Sequence, residues 1–358
     1  MMFLIDRFRE IIERIDKQFE GSKFEPAWQT MSTFFFSEKT VTKMSGPHVR
    51  DNTDLKRYMT VVMAAAGPAL LASIYFFGWR SLAMVVLSYT IGIVIELVFA
   101  IFKNEEVTEG MFVTCILFPL ILPPMLPFWM AAVGIAVGII IGKEIFGGTG
   151  KNIFNPAIVG RTFIAITFPV QMASQWVPPF KGGLGGFLHW SQSADVITTA
   201  TPLGNFKNGM PDGLWDMFIG STSGSFGETS AVLIIAGGLF LMATKVANWR
   251  LPAATISSAM VLAYLMNMSN PEQYASPIYH LLGGGFLFGA FFMVTDPVSA
   301  PFSSAGKWVY GILIGVVVIV IRNLSGFTEG MMFAILLLNM FAPVIDDAVL
   351  GIKYGRGK

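Results

Sequence analysis

Charge is scarce in this chain of 358 residues. Asp, Glu, Lys and Arg together supply 13% of it, about half the share found in an ordinary soluble domain. A disordered chain is excluded, because 54% of the residues are apolar and the net charge is only +1. Cysteine is nearly missing as well: Cys115 stands alone in the apolar run MFVTCILFPL. An internal disulfide is impossible, a lone thiol cannot hold an iron–sulfur cluster or a zinc ion, and Cys115 reads as core filler. His48, His189 and His280 are scattered without metal-ligand spacing. The charge balance gives no reason to expect nucleic acid. The first twenty residues, MMFLIDRFREIIERIDKQFE, are too charged for a secretory signal and read as an amphipathic helix that does not span a membrane.

What the chain has in abundance is long apolar runs. A bilayer core about 30 Å thick takes about 20 mostly apolar residues per helix, and ten such runs occur, near 58–79, 81–103, 110–127, 129–146, 153–170, 231–249, 251–270, 279–297, 307–324 and 329–349. The expected fold is therefore an all-α polytopic membrane protein of about ten transmembrane helices. LPPMLP at 122–127, NPAIVG at 155–160 and TDPVSAP at 295–301 interrupt the runs where a continuous helix would lose backbone bonds. Polar backbone freed at membrane depth must face protein or a water-filled cavity, so broken helices predict a site at the bundle centre.

Lys and Arg favour the cytoplasmic side, and ten of the 24 precede residue 58. With that segment inside, 19 of the 24 are cytoplasmic, and both termini lie in the cytoplasm. The expected parts are a cytoplasmic segment 1–57, a first five-helix half 58–170, an external loop 171–230, a second half 231–349 and a tail 350–358. An internal echo supports two halves: VTEGMFVTCILFPLILPP at 107–124 overlays FTEGMMFAILLLNMFAPV at 327–344 with a constant offset of 220. The two segments open spans an odd number of helices apart, which predicts an inverted repeat with its site near the midplane.

Carboxylates inside spans are the sharpest signal, since each costs about 2.5–3.5 kcal/mol at the bilayer centre. Glu96, Asp296 and Asp346 fall in runs of this kind. They could line a cation path, or could accept from backbone freed by a neighbouring proline; the depth of Glu96 favours the first. Lys143 and Glu144 sit at a span end, where pairing or snorkelling is expected. FGGTGKNIFNPAIVGR at 146–161 is not a phosphate loop, because Ile145 and Asn152 occupy positions that need Gly and Ser or Thr. It leaves a glycine-rich turn with Asn152 and Asn155, whose amides could serve a heteroaromatic edge or cap the turn. SADVITTATPLGNF at 193–206 shows no catalytic arrangement by itself.

HVRDNTDLKR at 48–57, EGMFVTCILFPLILPPMLP at 109–127, GKEIFGGTGKNIFNPAIVGR at 142–161, FFMVTDPVSA at 291–300, GKWVYGILIGV at 306–316 and EGMMFAILLLNMFAP at 329–343 together resemble the B-type membrane subunit of the Na+-translocating NADH:quinone reductases. The D-type membrane protein of the Rnf ferredoxin:NAD complexes is related to it. The resemblance covers nearly the whole chain. It implies a membrane subunit of a six-subunit complex of the bacterial inner membrane, passing electrons through flavins to quinone with sodium export. It also implies FMN joined through its phosphate to a threonine of an Asp-x-x-Ser/Thr-Gly-Ala-Thr motif by a flavin transferase. Asp195, Thr198, Ala200 and Thr201 match that motif, with Thr199 in place of its Gly, so Thr201 is the expected attachment residue. A non-covalent riboflavin is implied beside Asn152, Asn155 and Pro156, with Arg161 nearby. The quinone region maps to Gly92 and to Ile93, where the family has a second Gly. The sodium path maps to Glu96, Asp296 and Asp346. A loop of about fifty residues between the first two spans of familiar members is missing.

Overall fold

The computed structural model describes residues 55–103, 110–180, 182, 187, 201–327 and 329–355. The N-terminal amphipathic helix and Asp195, Thr198, Thr199 and Ala200 of the flavin motif lie outside these residues. The described residues form an all-helical, multi-pass membrane protein with no strand. Six stretches are long and apolar enough to cross a bilayer: Arg57–Phe77, Trp79–Lys103, Phe128–Phe146, Arg250–Ser269, Ser304–Leu324 and Met331–Tyr354.

The helices that concern the site are α1 (Leu55–Phe77), α2 (Trp79–Lys103), α3 (Gly110–Leu120), α4 (Phe128–Gly142), α5 (Pro156–Thr167) and α6 (Pro169–Ser174). After an irregular stretch come α7 (Pro202–Lys207), α8 (Leu214–Ile219), α9 (Ala231–Ala243), α10 (Arg250–Ser269) and α11 (Pro277–Leu282). Then follow α12 (Phe286–Phe288), a π-helical turn at Gly289–Met293, α13 (Ser304–Leu324) and α14 (Met331–Tyr354).

Four of the ten expected spans are short or broken, each for a local reason. The third stops at Leu120, ahead of the prolines at 123, 124 and 127. The fifth begins only at Pro156, whose fixed φ suits a first helical residue, with the Asn155 side chain accepting from the amides of Ala157 (3.0 Å) and Ile158 (3.4 Å). The sixth runs for 13 residues, Ala231–Ala243. The eighth is divided at Gly283–Gly285, where Gly284 has a φ of +62° that side chains disfavour.

The broken backbone is satisfied from within the protein, as membrane depth demands. Gly227 donates to the Leu120 carbonyl (2.7 Å) and Phe226 to that of Leu122 (3.2 Å). Arg80 spans the carbonyls of Pro124 (2.8 Å), Met125 (3.4 Å) and Leu126 (2.9 Å), with its guanidinium 4.6 Å over the Phe128 ring.

Packing relies on close backbone approach, the usual means where no hydrophobic effect drives helices together in lipid. In α4 and α5, a Cβ added at Gly138 would stand 2.5 Å from the Pro156 carbonyl. In α10 and α13, one added at Gly315 would stand 2.4 Å from the Thr255 carbonyl. The neighbours repeat in order: α2 packs on α3 and α4, and α4 on α5, while α10 packs on the α11-to-π run and α13, and α13 on α14. Cys115 is buried and free, in the role of core filler.

Candidate functional site

At the ends of α1, α3 and α9 and the turn entering α5, a small cavity of about 70 Å³ is lined by Tyr58, Asn152, Asn155, Pro156, Phe292 and Asp296, among others. Four residues selected from sequence, Asn152, Asn155, Pro156 and Asp296, are thus brought together. Much of the hydrogen bonding of the two amides is local. Asn155 caps α5 through its carbonyl oxygen, while its amide donates to Asp296 (3.4 Å). Asn152 accepts from the Gly150 amide (3.2 Å) and donates to the Phe154 carbonyl (2.9 Å). One amide proton of each remains for a ligand, with one carbonyl lone pair of Asn152; the Asn155 oxygen is filled by its two capping amides. Asp296 also accepts from the Val298 amide (3.1 Å) and the Ser299 hydroxyl (2.9 Å).

Arg161 is not part of that cavity. It lies further along α5, ion-paired with Glu329 and, at 3.2 Å, with Glu228. Glu329 accepts from the Gly285 amide (2.7 Å), and Ser225 donates to Glu228 (2.6 Å). Arg322 is fully buried nearby, donating to the His280 carbonyl (2.6 Å) beside the Phe286 ring. A Cβ at Gly285 would fall 2.2 Å from the Glu228 carboxylate, so the glycine leaves these carboxylates room to approach the backbone. Sequence reasoning missed Glu228, Glu329, Arg322 and His280. The signal available was Arg161 itself: a guanidinium in mid-span requires a buried acid.

This network lies beneath the segment bearing Thr201. Leu203 of α7 and Arg322 approach the same point beside Gly284, at 3.3 and 3.1 Å. Tyr279 donates to the Pro202 carbonyl (2.7 Å), and Lys207 to those of Ser325 (3.3 Å) and Phe327 (3.4 Å). Partial burial lowers the pKa of Lys207. Thr201 is half-buried, with extended backbone (φ −68°, ψ 159°), and its hydroxyl does not cap α7.

The three expected cation carboxylates are held separately. Glu96 pairs with the buried Lys143, in a chain that continues to Glu144 (3.9 Å) and Lys103 (2.7 Å from Glu144). Asp346 accepts from the Phe302 and Ser303 amides and the Ser303 hydroxyl, holding the start of α13. Among the described residues no group of three His, Cys, Asp or Glu could hold a metal ion. Gly92 is buried where a Cβ would meet the Cys115 sulfur at 2.4 Å, whereas Ile93 is exposed.

The profile of the NQR2, RnfD, RnfE family matches residues 42–355, a span containing every one of these clusters. The chain belongs to the NQR2, RnfD, RnfE family. Among curated relatives, the B-type subunit of the Na(+)-translocating NADH-quinone reductase of Ectopseudomonas mendocina is 39% identical, with 96% of each chain covered. Proteins of the same name from Yersinia pestis and Klebsiella pneumoniae are 36% and 37% identical, with 98% of each chain covered. The Ectopseudomonas alignment runs to 398 positions, more than the 358 residues of this chain, so that relative carries residues this family member lacks.

Proposed function

We propose that the chain is the B-type membrane subunit of a Na+-translocating NADH:quinone oxidoreductase in the bacterial inner membrane. The carrying observation is similarity along 96–98% of both chains to relatives that share this name. The other subunits of a six-subunit complex, quinone and sodium are its partners, and a flavin transferase completes it.

Ten membrane-crossing elements in two inverted halves form the scaffold, with α1–α5 in the first. The second contains α9, α10, the broken α11-to-π run, α13 and α14. Repetition of the neighbour order five elements on supports this reading. An offset of 174 lends further support, carrying Gly110, Phe112, Phe118, Pro123 and Pro127 onto Gly284, Phe286, Phe292, Pro297 and Pro301. The contacts Lys103–Glu144 and Asn155–Asp296 each join ends that ten alternating spans put on one side. The cytoplasmic segment 1–57, the external loop 171–230 and the cytoplasmic tail 350–358 complete the arrangement.

Thr201 is the FMN attachment residue. Its hydroxyl has no capping bond to give up, and Tyr279 anchors the residue that follows. Asn152 offers a donor and an acceptor, and Asn155 a donor, suited to the edge of riboflavin, beside Pro156 and Asp296. The donor chemistry fits, although ligand pockets usually exceed about 300 Å³, so the walls near Tyr58 must part to admit the ring. Flavins supply the bridge between two-electron and one-electron chemistry. The chain's part is to hold them and to keep charged groups paired at depth: Arg161 with its two glutamates on the outer side, Lys143 with Glu96 on the inner. Glu96, Asp296 and Asp346 line the sodium path, and each must exchange a present partner for the ion. Gly92 and Ile93 border the quinone region.

Isolation from native membranes tests the reading. Copurification with an NADH-oxidising flavoprotein and sodium-stimulated quinone reduction are expected. A complex that reduces ferredoxin or NAD instead, without quinone reductase activity, overturns it.

A further inference from the structure

A second cavity, of about 570 Å³, opens between the end of α9, the start of α10 and the loop entering α13. Lys245, Asn248, Trp249, Phe302 and Lys307 stand on its wall, and it shares Tyr58 and Asp296 with the smaller one. We infer that the lysines on its wall bind the phosphate of an anionic phospholipid headgroup.

Charge is the first argument. Neither Lys245 nor Lys307 has an ion-pair or hydrogen-bond partner for its ammonium among the described residues. The one acid on the wall, Asp296, is occupied by Asn155, Val298 and Ser299. Asn248 uses its oxygen on the Arg250 amide (3.1 Å), which leaves its amide hydrogens as donors. The wall therefore offers two unpaired cations and an amide donor, the donor set for a phosphate oxygen cluster.

Backbone geometry is the second. Lys245 has a φ of +59° just past the end of α9, where its own amide donates to the Met242 carbonyl (3.1 Å) and the Val246 amide to that of Leu241 (3.1 Å), a capped turn that fixes where the Lys245 backbone stands on the cavity wall.

Placement is the third. Trp249 and Trp308 meet edge to face at 5.8 Å, both solvent-facing, at the ends of two membrane helices. Phe302 is 92% exposed beside them. Tryptophans at helix ends mark the bilayer interface, and basic pockets between membrane helices at that level suit acidic headgroups. The apolar rim accommodates acyl chains, which a free phosphate ion does not need. Lys245, Arg250 and Lys307 lie on the face that the charge distribution assigns to the cytoplasm.

The test compares the detergent-purified complex bearing the natural chain with variants Lys245→Ala/Lys307→Ala and Lys245→Arg/Lys307→Arg. The thermal midpoint is titrated with phosphatidylglycerol, phosphatidylcholine and inorganic phosphate, and flavin content is measured in parallel. Phosphatidylglycerol alone raises the midpoint of the natural protein. The alanine pair needs roughly thirtyfold more of it, from about 1 kcal/mol for each lysine near an acidic lipid, and the arginine pair behaves as the natural protein does. The proposal is overturned if phosphatidylglycerol acts equally on the alanine pair, or if phosphatidylcholine matches it. It is also overturned if inorganic phosphate is as effective, which makes the site one for free anions. Loss of flavin from the alanine pair with its lipid response intact assigns the lysines to the flavin instead.

Discussion

Removing Arg161 exposes how the ends of α5, α12 and α14 are held together. The guanidinium is 5% exposed and its partners Glu228 and Glu329 are 4% and 16% exposed. Arg161→Met keeps much of the volume and leaves two carboxylates side by side without their shared cation. Breaking a buried pair from one side costs about 3–5 kcal/mol, because the remaining charge is uncompensated. Two charge-assisted hydrogen bonds at about 1.5–3 kcal/mol each give a similar total. At about 2–4 °C per kcal/mol for a chain of a few hundred residues, the thermal midpoint should fall by on the order of 10 °C. The triple variant Arg161→Met/Glu228→Gln/Glu329→Gln removes all three charges and should recover most of that loss. Both are read by thermal unfolding of the purified complex in detergent. A fall of under 2 °C in the single variant, or no recovery in the triple, refutes the account of a charge-paired network.

Lys143→Met strands Glu96 and should destabilise by about 3 kcal/mol or more, with Glu96→Gln added to it restoring most of the loss; equal stability of the two variants contradicts this. Glu96→Gln alone should weaken the sodium dependence of turnover, and an unchanged sodium titration returns that carboxylate to a purely structural role. Gly138→Ala forces α4 off the Pro156 carbonyl, which a Cβ would approach to 2.5 Å. Overpacking of this kind costs about 1–3 kcal/mol, and an unaltered thermal midpoint argues against the close contact.

Much of the scaffold could be read from the residues. The apolar runs anticipated the long helices, and the prolines at 123, 156 and 297 marked three of the interruptions, because a missing amide is a local property. The division of the eighth element at Gly283–Gly285 passed unnoticed, since glycines within an apolar run are ordinary in membrane helices. Asn155 fills the capping role that had been left open as the alternative to ligand contact. Pairings were least legible: Glu96 meets Lys143 across 47 positions and Arg161 meets Glu329 across 168. Residue type alone specifies a need for a partner, and only the packing of distant helices selects which one. The echo at offset 220 pairs the third element with the tenth, whereas the neighbour order pairs the third with the eighth. Short apolar segments can resemble one another at several offsets.

The most direct measurement is mass spectrometry of the tryptic peptide 182–207, released by cleavage after Lys181 and Lys207, from protein isolated out of its native membrane. The account predicts one FMN joined by a phosphoester to Thr201. An unmodified Thr201, or a flavin carried by a different residue, contradicts it.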